Sequence, residues 1–288
     1  MIRVGSEKME KQPRDADGLT EDEFLANYHM ENYDLPSVAV DMIILAMNQS
    51  YSKLKILLIK RKEHPFIEQW ALPGGFVKAN ESTYEAAGRH LREETGLTDV
   101  YMEQIYTMSR PDRDPRMRVI SIDYLALINE QEVTAGEKES EALWFDITFQ
   151  TKESSKYLEL RNEETNTTIK YLLKKKDFRN GVVKVEGYVP ELSDTSDDAL
   201  AFDHAESILE GLIRIKNKVM YSDIAFNLVP KEFTLPDLQA VYEIILGREL
   251  YKTNFKAGII KKIEPLERKG TSVTGGKKSM LYHYIERR

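Results

Sequence analysis

At 288 residues the chain exceeds what one hydrophobic core usually organises, so two domains are the starting expectation. With 41% hydrophobic and 31% charged residues and no apolar run near the roughly 18 residues a membrane helix needs, composition excludes both a disordered chain and a spanning helix. The absence of cysteine excludes disulfides and thiolate metal ligands, and the first eighteen residues lack the apolar core of a signal peptide, so no membrane partner and a cytoplasmic location are expected. The net charge of −7 hides an asymmetry, because residues 252–288 carry ten Lys or Arg against Glu264, Glu267 and Glu286, a local balance of +7.

Taken in chain order, residues 1–36 are polar apart from Phe24, Leu25 and Tyr28 and read as an N-terminal arm. Alternating Val38, Val40, Met42 and Ile44 predict a strand, and the apolar run from Leu54 to Ile59, after a turn-like Asn48-Gln49-Ser50, predicts its neighbour. Further strands are expected at 70–77, 101–109, 119–127 and 141–146, with one helix over 81–95. Short strands follow at 157–162, 166–173 and 182–189, separated by charged turns at 162–166 and 174–180. Ala201, Ala205, Ile208, Leu212 and Ile215 recur at steps of four and three, which predicts a helix over 197–218. Residues 37–220 therefore read as one α+β domain.

A linker-like stretch at 221–232, containing Pro230, leads into a second domain drawn at 225–288. There Thr234, with Asp237 three residues on, marks a helix start, Leu238, Val241, Tyr242 and Ile245 give its apolar face, and Gly247 ends it. A second helix over 253–263 is expected to bury Phe255, Ile259, Ile260 and Ile263. Residues 266–285 read as a β-hairpin whose tip holds Gly275-Gly276-Lys277-Lys278. Helix, turn, helix and basic hairpin is the order of a winged helix, whose second helix enters the major groove while the wing follows the backbone. Asn254, Lys256, Lys261, Lys277 and Lys278 are the candidate contacts to double-stranded DNA. A protein-interaction module with a solvated basic face is the other use of the same pattern.

The chemistry-bearing segment lies in the first domain. Gly75, Glu81, Arg89, Leu91, Glu93, Glu94, Gly96 and Leu97 stand at the spacings of G-x5-E-x7-R-E-U-x-E-E-x-G-U, where U is aliphatic, and His90 replaces the glutamate of the R-E-U triplet. Positions three and four apart share a helix face, so 90, 93 and 94 converge on one small volume. The segment resembles the Nudix box, and the resemblance implies a metal-binding helix for pyrophosphate hydrolysis. Glu93, Glu94 and His90 are then the catalytic candidates, and Glu93 and Glu94 the metal ligands. Mg²⁺ prefers oxygen donors, so an imidazole at 90 weakens that site.

Two further segments, 60–66 and 110–116, resemble loops of Nudix proteins that act on or sense ADP-ribose. Arg61, Arg110, Arg113 and Arg116 become ligand-binding candidates, since a guanidinium holds phosphate through two parallel hydrogen bonds. Ordinary charged turns are the alternative. His204, in Phe202-Asp203-His204, reads equally as a capping or packing residue.

The order of parts resembles the NrtR-type Nudix-related transcriptional regulators, particularly over 233–247 and 201–205, and the likeness spans 37–288. It implies a Nudix α/β/α sandwich followed by a winged helix-turn-helix domain. It also implies a homodimeric regulator, of NAD-related metabolism, whose degenerate Nudix domain binds ADP-ribose or a related nucleotide. The rival expectation is an active Nudix hydrolase that cleaves the pyrophosphate of ADP-ribose, with Glu81, Glu93 and Glu94 sufficient for metal and the tail an interaction or dimerisation module.

Overall fold

A computed structural model describes residues 13–28, 35–129 and 142–285. The chain divides into two compact units, Met1–Pro36 and Ser37–Arg288. In the first, α1 (Glu21–Ala26) is a short helix started by a capping box in which Thr20 and Glu23 exchange hydrogen bonds. Phe24 and Leu25 on it are exposed.

The second unit opens with β1 (Ser37–Met47), β2 (Leu54–Lys60), β3 (Trp70–Ala71), β4 (Gly74–Phe76) and α2 (Thr83–Thr95). It continues through β5 (Tyr101–Met108), β6 (Val119–Ile128), β7 (Ala142–Lys152), β8 (Ser155–Asn162), β9 (Thr167–Asn180) and β10 (Val183–Leu192) to α3 (His204–Lys218). These strands form one mixed sheet in the order β10-β9-β8-β7-β2-β1-β6-β5, with β3 on β2 and β4 on β1, and β1 parallel to β6. The central strand β1 is apolar on both sides for a reason. Ile43, Leu45 and Met47 pack in the core of α3, with Ile208, Leu212 and Ile215, whereas Val40, Met42, Ile44 and Ala46 pack with Ala86, Ala87 and Leu91 of α2. Two helical layers on opposite faces make the α/β/α sandwich that the Nudix resemblance implies.

The C-terminal part holds β11 (Phe233–Thr234), α4 (Leu235–Leu246), α5 (Lys252–Ile259), β12 (Ile263–Thr271) and β13 (Lys278–Tyr284). The three strands form a separate sheet in the order β11-β13-β12. Leu238, Val241, Tyr242, Phe255, Ile259 and Ile263 pack together and belong to the same continuous core as Ile208 and Leu212 of α3.

Several elements depart from the sequence expectations. Residues 174–180 are not a turn: β9 runs on to Asn180, and the reversal falls at Gly181, whose φ of +61° suits a glycine. The charges that looked turn-like pair across the ladder, Lys174 with Glu191, Lys175 with Glu186 and Lys184 with Asp177. Helix α3 begins at His204 rather than 197, because Phe202 adopts φ +53° and the Ala201 N–H donates to the Trp70 carbonyl instead of a helical one. The 221–232 stretch is packed rather than free. It contains a 3-10 helix, Ile224–Leu228, with Ile224, Ala225, Leu228 and Val229 buried. Ile260 is exposed, since α5 gives way to a 3-10 turn, Ile260–Lys262, which takes it off the buried face. The strand expected at 141–146 is β7 from Ala142 onward, and residue 141 lies outside the described residues.

Candidate functional site

The box helix α2 starts at a capping box between Ser82 and Glu85 and ends on Gly96, whose φ of +72° provides the left-handed cap. Arg89 grips Glu81 through two bonds, at 3.0 and 2.6 Å, and this grip, helped by the Lys78 N–H, holds the Glu81 carboxyl down to about 2. A third arm, Nη1, lies 3.4 Å from Glu93 and 3.3 Å from Nε2 of His90. Arginine can only donate, so Nε2 of His90 accepts and the ring proton sits on Nδ1, which faces Glu93 Oε2 at 3.3 Å. The imidazole is buried, and its edge lies where a Cβ on Gly75 would come within 3.0 Å, so the glycine of the box makes room for His90.

This donor set does not fit a resident Mg²⁺. Both His90 nitrogens face neighbours, Glu81 is committed to Arg89, and imidazole is a poor ligand for a hard cation. Among the described residues no three His, Asp or Glu side chains converge as metal ligands do.

Between β1, β4 and the loops after β2 and β5 lies a cavity of about 310 Å³. Its wall carries Arg61, Phe76, Arg116 and Phe202. The Arg61 guanidinium stacks over Phe202 at 4.9 Å and Arg116 over the same ring at 5.9 Å and over Phe76 at 5.5 Å. Burial, and then the Arg116 cation nearby, pull Arg61 below its ordinary pKa, against the pull of Asp114, Glu63 and Asp41, which line the same cavity. Phe202 and Phe66 meet edge to face at 4.7 Å, and both hold positive φ, +53° and +60°. Such backbone costs about 1–3 kcal/mol per bulky residue and is concentrated at ligand sites.

The four candidate arginines therefore do not form one cluster. Arg61 and Arg116 meet at Phe202, and both are already engaged: Arg116 holds the buried Asp114 through two bonds at 3.0 and 2.8 Å, and Arg61 donates to the Pro65 and Glu63 carbonyls at 2.8 and 3.3 Å. Arg113 lines the same cavity but is buried and committed, with two bonds to Asp203 at 3.0 and 2.7 Å and one to Asp41 at 3.2 Å. Arg110 is not among the lining residues and pairs with Glu206 at 2.8 Å and Asp112 at 3.0 Å.

Beneath the cavity His204 settles its earlier ambiguity as a packing residue with a task. The Leu72 N–H donates to its Nδ1 at 2.9 Å, so the proton sits on Nε2, which faces Asp41 Oδ1 at 3.5 Å. Burial pushes its pKa down despite Asp41 and Asp203, consistent with a neutral ring. Phe76 and Phe202 were not evident from the sequence, since a single aromatic in a three-residue strand or a loop carries no periodic signal.

Asn254 and Lys256 on α5, Lys261 just after it, and Lys277 and Lys278 at the tip of the β12–β13 hairpin are all exposed. Neighbouring charges are tied, Lys262 to Asp223 and Arg268 to Glu232.

A model of the NUDIX domain matches residues 35–155, and one of the NrtR DNA-binding winged helix domain matches residues 225–284. Over 267 residues the chain is 30% identical to the ADPR responsive transcriptional repressor NtrR of Acinetobacter baylyi, covering 92% of this chain and 88% of that one. The chain belongs to the NrtR family of Nudix-related transcriptional regulators. Among solved structures it resembles a MutT/nudix family protein from Enterococcus faecalis, at 33% identity and a TM-score of 0.72, across 93% of this chain and 94% of that one. It also shares the fold of Shewanella oneidensis NrtR complexed with a 27mer DNA, at 24% identity and a TM-score of 0.62, over 86% and 93% of the two chains. No helix among the described residues is long and apolar enough to cross a membrane.

Proposed function

We propose that this NrtR-family chain senses ADP-ribose, or a closely related nucleotide, in the cavity at Arg61, Phe202 and Arg116, and that the ligand alters the grip of its winged helix on double-stranded DNA. The observation that carries the reading is the pair of guanidinium groups stacked on Phe202 at the cavity wall. Two cations held side by side on one ring suit the charge of a diphosphate, for which Arg116 would exchange its present partner Asp114. The volume, about 310 Å³, lies at the lower end of the roughly 300–1,000 Å³ typical of small-molecule sites. The similarity to the ADPR responsive repressor of Acinetobacter baylyi supports the same ligand.

Binding without hydrolysis is supported by the box helix, where Arg89 pairs with Glu81 and Glu93 and His90 faces Glu93. Glu93 and Glu94 remain in place on α2, which is what favours the second reading, an ADP-ribose pyrophosphohydrolase. A homodimer is proposed because winged and other helix-turn-helix proteins generally read two half-sites about one DNA turn apart. Control of NAD-related genes is the regulatory role proposed with it.

Titration calorimetry with ADP-ribose, with and without Mg²⁺ and with the products analysed afterwards, tests the reading. Saturable binding that needs no Mg²⁺ and leaves ADP-ribose intact supports it. Binding that requires Mg²⁺, with AMP and ribose phosphate accumulating, would favour the hydrolase. Light scattering that gave a monomer with and without DNA would remove the dimer.

A further inference from the structure

Near the N-terminus of α4 the carboxylate of Asp237, 5% exposed, closes on the turn that joins β12 to β13. Its Oδ1 accepts from the Ser272 hydroxyl at 2.9 Å, the Thr274 N–H at 3.0 Å and the Thr274 hydroxyl at 2.9 Å. Its Oδ2 accepts from the Thr234 hydroxyl at 2.7 Å and the Val273 N–H at 3.3 Å. A helix start needs far less, because Thr234 already caps α4 by accepting the Asp237 N–H. Four of the five bonds reach a turn some 35 residues away in sequence.

The turn is in turn built on the residue that Asp237 holds. Ser272, 1% exposed, donates its N–H to the Lys277 carbonyl at 3.0 Å and accepts the Gly276 N–H at 2.9 Å, while its hydroxyl accepts the Gly275 N–H at 3.2 Å. Gly276 takes φ +60°, which lets the chain reverse into Lys277 and Lys278. Only a carboxylate satisfies this arrangement, since an amide would turn a donor toward the Val273 or Thr274 N–H. Burial alone would push Asp237 up, yet the hydrogen bonds from Thr274, Thr234 and Ser272 hold it below the ordinary range, so it is ionised near neutral pH.

We propose that Asp237 is the positioning residue of the wing: by clamping residues 272–274 to α4 it fixes where Lys277 and Lys278 meet the DNA backbone. The proposal rests on the DNA-binding reading of the winged helix. Asp237 itself touches no nucleic acid in this account, and acts through the turn.

The test uses the full chain and a fluorescein-labelled duplex from the promoter region beside its own gene, with anisotropy titrations at several salt concentrations. Lys277→Ala with Lys278→Ala removes two phosphate contacts and should reduce the salt slope of binding by about two. Asp237→Ala alone is expected to reduce the slope by a similar amount, about two, and to weaken low-salt binding by at least about tenfold. Adding the two lysine substitutions to Asp237→Ala should then change little more, because the wing has already been lost. A wild-type slope in Asp237→Ala, or losses that simply add, overturns the proposal. Should circular dichroism show that Asp237→Ala is unfolded, Ser272→Ala with Thr274→Val cuts the same clamp from the turn side and must give the same slope and the same lack of additivity. If the wild type bound no duplex at any salt, the DNA-binding reading would fail and the proposal with it; a wild type that binds beside an unaffected clamp variant sinks the proposal alone.

Discussion

The Leu72 N–H donates to Nδ1 of His204 across 132 residues of sequence, so the first turn of α3 is bonded directly to the loop that begins the Nudix box. Phe202, two residues before His204, is also the ring on which Arg61 and Arg116 stack. A ligand seated between those cations would meet Phe202 just ahead of α3, and α3 shares its core with Val241 and Ile245 of α4.

His204→Ala is expected to leave a buried N–H without its acceptor, at a cost of about 1–3 kcal/mol before any cavity cost. Thermal melting measures the loss. In binding assays the variant should keep its ligand-free affinity for DNA while ADP-ribose releases less of it, since coupling of about 1–3 kcal/mol depends on a connection of this kind. An unaltered response to ADP-ribose would exclude α3 as the route.

Arg61→Ala and Arg116→Ala should each weaken ADP-ribose by roughly 10- to 100-fold, the worth of a lost charge-assisted hydrogen bond, and Arg116→Ala should in addition destabilise the fold by leaving the buried Asp114 without its partner. Arg110→Ala should change affinity little, because its guanidinium is held by Glu206 and Asp112 away from the cavity. Arg113→Ala belongs to a different class. It strands the buried Asp203 and Asp41 carboxylates and should cost about 3–5 kcal/mol of stability, read by urea unfolding. Equal effects at all four positions would contradict this division.

Asp123 lies fully buried opposite Asp41 on the paired strands β6 and β1. Burial, and then the Asp41 carboxylate, push its pKa up to about 8. The folded state therefore holds a proton that the unfolded chain releases near pH 4, so this contribution to stability is complete below about pH 4 and is lost as pH rises through about 8. Urea unfolding of Asp123→Asn should show a shallower decline between about pH 5 and pH 8 than the wild type. Parallel declines would place the buried proton elsewhere.

His90→Glu restores a third carboxylate on the face of α2 that carries Glu93 and Glu94. Assayed with ADP-ribose and Mg²⁺, the variant should release AMP faster than the wild type. No gain, with the wild type already turning over, would support the hydrolase.

Much of this was legible in the sequence where a period repeats. The apolar steps of β1, α3 and α4 set the layers, and the box spacing located α2 to within two residues at its start. What escaped the sequence are features set by distant partners. Residues 174–180 look like a turn until Glu186 and Glu191 are laid beside them, and Phe202 gains its role from Arg61 and Arg116, far apart in the chain. The arginines showed the charge of a phosphate site, but their spacing could not reveal that Arg113 is consumed by Asp203 and Asp41. Asp237 read as a helix start because its four bonds to the wing turn are non-local.

In the proposed mechanism one ligand site governs one DNA-binding domain without destroying its ligand. The most direct measurement is anisotropy of the protein on labelled promoter DNA from beside its own gene, with ADP-ribose and Mg²⁺ titrated in and the nucleotide analysed at each point. The protein should bind this DNA specifically, and intact ADP-ribose should shift that binding by about 5- to 150-fold. Absence of specific binding, with AMP and ribose phosphate accumulating as ADP-ribose disappears, would contradict it.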